Sequence, residues 1–265
     1  MDYEVLRLKN DRFDMPYLKI PGGKKTLVVL PGMSLRPISI APEGFASAFS
    51  SFCDEYTIYL FDRKENMEDD YSIQDRADDI VEACKILDLK DIYLYGASMG
   101  AFMCAHIGFK YPKLAKKIVH ASGCYYLNET SEAFMDNVIK YCDEKNVRSL
   151  VSYSARMIYS KEFNEANRDS LIKAFSDLND YEIKQYKADA IAFKKEGYLL
   201  NDLEKIEAQT LIVVSKKDVI FGYEPSLIMS LKIKNCECVV YDDYSHAVYD
   251  EAPDFRDRMK KFFDN

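Results

Sequence analysis

Apolar and polar positions along the chain fall into two rhythms. Residues 3–8 and 14–20 alternate, as paired short strands do. After them come continuous apolar runs: Thr26–Leu30, Tyr56–Phe61, Ile92–Tyr95, Lys117–Ala121, Thr210–Val214 and Cys238–Tyr241. Runs of this length, rich in β-branched and aromatic residues, predict strands buried on both faces. Helical spacing separates them, beginning with 72–88, where Ser72-Ile73-Gln74-Asp75 has the form of a capping box, and ending with Asp254–Phe263. The pattern therefore predicts an α/β fold with a mostly parallel central sheet flanked by helices.

The alternation stops between about 124 and 208. That stretch reads as amphipathic helices, among them Glu132–Tyr141, Val147–Tyr159, Asn167–Leu178 and Tyr181–Lys194. The expected organisation is a core made of 1–123 and 209–265, with 124–208 as a helical cap inserted between two strands. Such an insertion is expected to cover the carboxyl ends of the strands, where open α/β sheets bind ligands.

Candidate chemistry begins at Gly96-Ala97-Ser98-Met99-Gly100. This stretch joins a strand to a helix with no room for a loop. A turn that tight needs tiny residues on both sides and thrusts its central side chain outward. A serine there needs a base, and the base needs a third group to fix its tautomer. The chain has three histidines. His106 lies two turns into the following helix and is read as structural. His120 ends a strand and is a candidate to line the site. His246 follows the last strand in a loop at the sheet's carboxyl edge. Asp218 follows the strand before it at the same edge, and Asp243 and Asp250 are read as loop and helix-cap carboxylates.

The order Ser98, Asp218, His246 around a G-x-S-x-G turn resembles the α/β-hydrolase fold superfamily, in the branch with a helical cap. Leu30-Pro31-Gly32-Met33, Phe61-Asp62-Arg63, Tyr71–Asp75, Val213–Asp218 and Tyr244-Ser245-His246 extend the resemblance over nearly the whole chain. It departs from the common pattern at Pro31, where members often carry histidine, and at Lys64–Asp70, where a glycine-rich continuation is usual. The resemblance implies Ser98 as nucleophile, His246 as general base and acid, and Asp218 as its orienting carboxylate. The backbone N–H of Met99, at a helix start, and that of Met33 are the expected oxyanion donors. Arg36, Tyr126, Phe134, Met157 and Tyr159 are the expected substrate contacts, and Arg63 is read as a partner of nearby carboxylates.

The expected activity is hydrolysis of a small-to-medium carboxylic ester through an acyl-enzyme, with an acyl substrate and water as the only partners. Amidase or peptidase, thioesterase, acyltransferase and carbon–carbon bond hydrolase are alternatives on the same triad. A ligand receptor on the same fold is the alternative outside enzymes.

Composition narrows this further. A net charge of −8 disfavours nucleic acid as a partner. The first residues lack a basic segment followed by an apolar one, and no run is long enough to span a bilayer, so no membrane association is expected. Seven irregularly spaced cysteines suit reduced thiols in the cytoplasm. Cys236-Glu237-Cys238 has no second Cys/His pair at zinc spacing, so no metal or other cofactor is expected.

Overall fold

A computed structural model describes residues 2–68 and 71–265. Asp69 and Asp70, part of the departure at Lys64–Asp70, lie outside the described residues. An eight-stranded sheet runs through the molecule in the order β1-β2-β4-β3-β5-β6-β7-β8. The strands are β1 (Glu4–Lys9), β2 (Asp14–Ile20), β3 (Lys25–Leu30), β4 (Tyr56–Phe61), β5 (Ile92–Ala97), β6 (Ala115–Ala121), β7 (Gln209–Ser215) and β8 (Cys236–Tyr241). β1 and β2 pair antiparallel at one edge, and β2 pairs antiparallel with β4. From β4 to β8 every pairing is parallel.

The period-2 geometry of a strand explains the two cores. Val28 and Leu30 of β3 enter one apolar cluster, and Leu27 and Val29 enter the other. β7 divides likewise, with Ile212 in the first cluster and Leu211 and Val213 in the second. Buried residues of α2 (Ile73–Ile86) and α3 (Met99–Lys110) join the first cluster. α1 (Pro42–Ala48) and the last helix cover the second face. The α2 start bears out the capping box: Ser72 Oγ accepts from Asp75 N–H, and the Asp75 carboxylate accepts from Ser72 N–H.

Between β6 and β7 the chain leaves the sheet for four helices: α4 (Glu129–Asp143), α5 (Val147–Ile158), α6 (Lys161–Ala174) and α7 (Asp180–Lys194). The third begins and ends earlier than its spacing suggested. Ser160 caps it, with Oγ accepting from Phe163 N–H at 3.2 Å. The final helix, α10 (Phe255–Asp264), falls within one residue of its expected span, and a short turn of helix, α9 (Val248–Glu251), precedes it, after α8 (Glu224–Lys232). The apolar pattern singled out neither α1 nor α8.

All seven cysteines are unpaired, and Cys236 and Cys238 pack half-buried against the first cluster. Among the described residues no helix is long and apolar enough to cross a membrane.

Candidate active site

The turn between β5 and α3 is built on contacts that exclude larger residues. A Cβ at Gly96 would lie 2.1 Å from the Gly100 carbonyl oxygen. A Cβ at Gly100 would lie 1.9 Å from that of Leu30, so the start of α3 presses directly on the end of β3. Ser98 itself has φ 52° and ψ −115°, a conformation that L-residues avoid. It is held there by its N–H, which donates to the Ala121 carbonyl at 2.9 Å, and by the glycine contacts on both sides.

Ser98 Oγ lies 3.0 Å from Nε2 of His246, whose Nδ1 lies 2.9 Å from Oδ2 of Asp218. The three come from the carboxyl ends of β5, β7 and β8. An ionised carboxylate only accepts, so the imidazole proton belongs on Nδ1 and Nε2 is free to accept from the serine hydroxyl. Asp218 is itself fixed, because its Oδ1 accepts the N–H groups of Ile220 and Phe221 at 2.8 and 3.1 Å. The His246 loop is pinned by its carbonyl, which accepts from Ser122 Oγ at 2.6 Å. The N–H of the next residue, Ala247, donates to the Ile158 carbonyl at the end of α5. Asp243 is exposed and pairs with Lys217, and Asp250 faces Arg256; the ring nitrogens of His246 bond to Asp218 and Ser98 instead.

A cavity of about 30 Å³ adjoins Ser98 and His246. Its other walls are Met33, Phe134 and Met135 of α4, Ile158, Tyr186 of α7, Ile220, Phe221 and Tyr249. Met99 is the first residue of α3, so its N–H has no acceptor within the helix. Met33 reaches the same cavity from the loop after β3. The arrangement can deliver a serine alkoxide to a carbonyl held between these groups and can shuttle one proton through the imidazole.

Of the five expected substrate contacts, only Phe134 lines this cavity. Arg36 is instead paired with Asp177 and Glu182 and donates to the Ala174 carbonyl, so its charge is already answered by the helical segment. Tyr126 packs against Tyr125 and Tyr198. Met157 packs against the first apolar cluster, and Tyr159 stacks on Phe163 beside an outer groove. His120 also lies away from the cavity. It is buried with both ring nitrogens unpaired, and burial pushes its pKa down to about 4. His106 is structural: its Nε2 lies 3.1 Å from Glu196. Ile220, Phe221 and Tyr249 were missed, although each follows a triad residue by two or three positions. Tyr186 and Ile158 have no such signal.

The family model described as alpha/beta hydrolase fold matches residues 44–253. A proline iminopeptidase from Pestalotiopsis fici is 24% identical over 233 residues, spanning 78% of this chain and 81% of its own. The structure of MGS-M2, an alpha/beta hydrolase enzyme from a Medee basin deep-sea metagenome library, superposes with a TM-score of 0.88 at 18% identity, covering 98% of both chains. The enol-lactonase from Burkholderia xenovorans LB400 superposes with a TM-score of 0.83 at 13% identity, again over 98% of each.

Proposed function

The chain belongs to the alpha/beta hydrolase fold family, and from that premise we propose that it is a serine hydrolase cleaving carboxylic esters through an acyl-enzyme. The observation that carries this is the unbroken line of hydrogen bonds from Ser98 Oγ through His246 to Asp218.

In this reading Ser98 Oγ attacks the ester carbonyl carbon while its proton passes to His246 Nε2. The tetrahedral oxygen takes its charge between the N–H groups of Met33 and Met99, the second reinforced by the start of α3. The C–O bond to the alcohol then breaks, and His246 returns the proton to the leaving oxygen. Water enters, gives a proton to His246 and attacks the acyl carbon. Collapse of the second tetrahedral species releases the acid and restores Ser98. Asp218 stabilises the imidazolium formed in each half without itself being protonated.

The segment 124–208 acts as a cap in this proposal. α4, α5 and α7 each supply a wall of the Ser98 cavity. A cavity of about 30 Å³ is far smaller than the roughly 300–1,000 Å³ typical of small-molecule pockets. Substrate entry therefore displaces cap side chains, and the cap selects the acyl group. The testing experiment is a panel of p-nitrophenyl esters, anilides and acyl thioesters on the purified chain, beside Ser98→Ala. Ester turnover that exceeds the other two classes and vanishes in Ser98→Ala supports the reading. Preferred cleavage of anilides or thioesters would replace the ester with that class on the same triad.

A further inference from the structure

A second cavity, of about 50 Å³ and partly open, lies beside the nucleophile turn. It shares no lining residue with the Ser98 cavity. Two of its walls nevertheless frame the turn. One is Gly32, where a Cβ would sit 3.1 Å from Ser98 Cβ, and the other is Met99. The remaining walls of consequence are charged: Asp62, Arg63, Lys64 and Arg76.

Hydrogen bonding around this cavity is one-sided. The Arg76 and Arg63 side chains are only 8% and 11% exposed. Both reach one carboxylate, Asp189 of α7, with Nη1 of Arg76 2.5 Å from Oδ1 and Nη1 of Arg63 3.2 Å from Oδ2. Both oxygens of Asp189 are thereby engaged. Asp62 is engaged too, accepting the backbone N–H of Arg63 at 2.9 Å and that of Ser39 at 3.3 Å. Lys64 turns to Glu68 at 2.9 Å. Left over are Nη2 of Arg63 and Nε and Nη2 of Arg76, all buried with no acceptor.

A guanidinium carries only donors, and a buried donor left unpaired costs its full desolvation. The carboxylates lining this space already have partners, while donors on both arginines have none. A ligand with donors of its own would add to the surplus. A carboxylate offers only acceptors in a plane that matches the guanidinium fork.

We propose that this cavity receives a carboxylate carried by the substrate, so that the enzyme acts on half-esters of dicarboxylic acids. The proposal rests on the esterase reading above and names its substrate class. The acyl carbonyl sits at Ser98 and the free acid end reaches past Gly32 and Met99 to Arg76 and Arg63.

The test compares mono-p-nitrophenyl succinate, glutarate and adipate with neutral p-nitrophenyl esters of matching acyl length, using the full chain. The expected result is a higher kcat/KM for at least one half-ester than for its neutral counterpart. Arg76→Met should cut that preference by about 10- to 100-fold, mainly through KM, as expected for losing a buried charged hydrogen bond. Arg76→Lys, which keeps the charge and loses the fork, should fall between them. A wild-type ratio at or below one for all three lengths overturns the proposal, as does a preference that Arg76→Met leaves unchanged. Should Arg76→Met fail to fold, calorimetry on Ser98→Ala decides without turnover. Monomethyl glutarate should bind more tightly than methyl pentanoate, and equal binding overturns the site. The two readings fail separately. Neutral-ester turnover lost in Ser98→Ala keeps the esterase even if the ratio is one, whereas tight half-ester binding with no turnover of any ester keeps the carboxylate site and removes the esterase.

Discussion

Asp218 divides its two oxygens between two tasks. Oδ1 is taken by the N–H groups of Ile220 and Phe221, which leaves Oδ2 to face the imidazole. An asparagine at 218 would place an amide N–H₂ or a single carbonyl there, and the tautomer would no longer be enforced. Asp218→Asn is therefore expected to lower kcat by about 10⁴, whereas Asp243→Asn, in an exposed pair with Lys217, should stay close to wild type. Steady-state kinetics of the two variants side by side check this, and an equal loss at Asp243 would misplace the acid. His120 gives a second expectation, for stability. Burial lowers its pKa from 6.5 to about 4, so the unfolded chain binds its proton first as pH falls. The stability it contributes is complete above about 6.5 and drains away towards 4, by about 3 kcal/mol. Urea melts should show His120→Leu gaining about that much on wild type between pH 7 and pH 4. A gap that does not change with pH would contradict it.

Strands and helices differ in how far their roles could be read in advance. A strand buried on both faces has few options, and β4 occupies the expected Tyr56–Phe61 without a residue's difference. Helices α4, α5 and α7 carry buried apolar positions, but the sequence pattern does not say whether these meet the sheet edge, a sister helix or a ligand. Phe134 and Met157 are both apolar positions on such helices. The fold buries the first in the core cluster at the wall of the Ser98 cavity, and leaves the second half-buried against that cluster, away from the cavity. This sets an expectation at the level of the element. Phe134→Ala should enlarge the cavity and move the preferred acyl chain to greater length, while Met157→Ala should not. Each added methylene buried is worth about 0.8 kcal/mol, or about three- to fourfold in kcat/KM, until the pocket fills. Acyl-length profiles measured with melting temperatures separate selection from stability. Profiles that stay the same in both variants would reduce α4 to a structural role.

Across the whole molecule, the triad draws Ser98 from the first half of the chain and Asp218 and His246 from its last quarter. It was legible because each residue stands just past the end of a readable strand, and a parallel sheet brings those ends to one edge. The Arg63–Arg76–Asp189 cluster was not. It joins the end of β4, the first turn of α2 and the third turn of α7, and no spacing in the sequence links them. Arg63 was read as a partner of nearby carboxylates and does pair with one, Asp189, but that residue is 126 positions away along the chain. The fold and the nucleophile turn thus follow from local pattern, while the pocket walls depend on how helices pack over the sheet. The central claim is that Ser98 is the residue acylated by substrate. A fluorophosphonate probe followed by intact-mass and peptide mass spectrometry tests it most directly. The expected result is one added probe mass on the peptide containing Ser98, with no labelling of Ser98→Ala. A wild-type chain that stays unlabelled, or a Ser98→Ala chain that still takes up the probe, would contradict it.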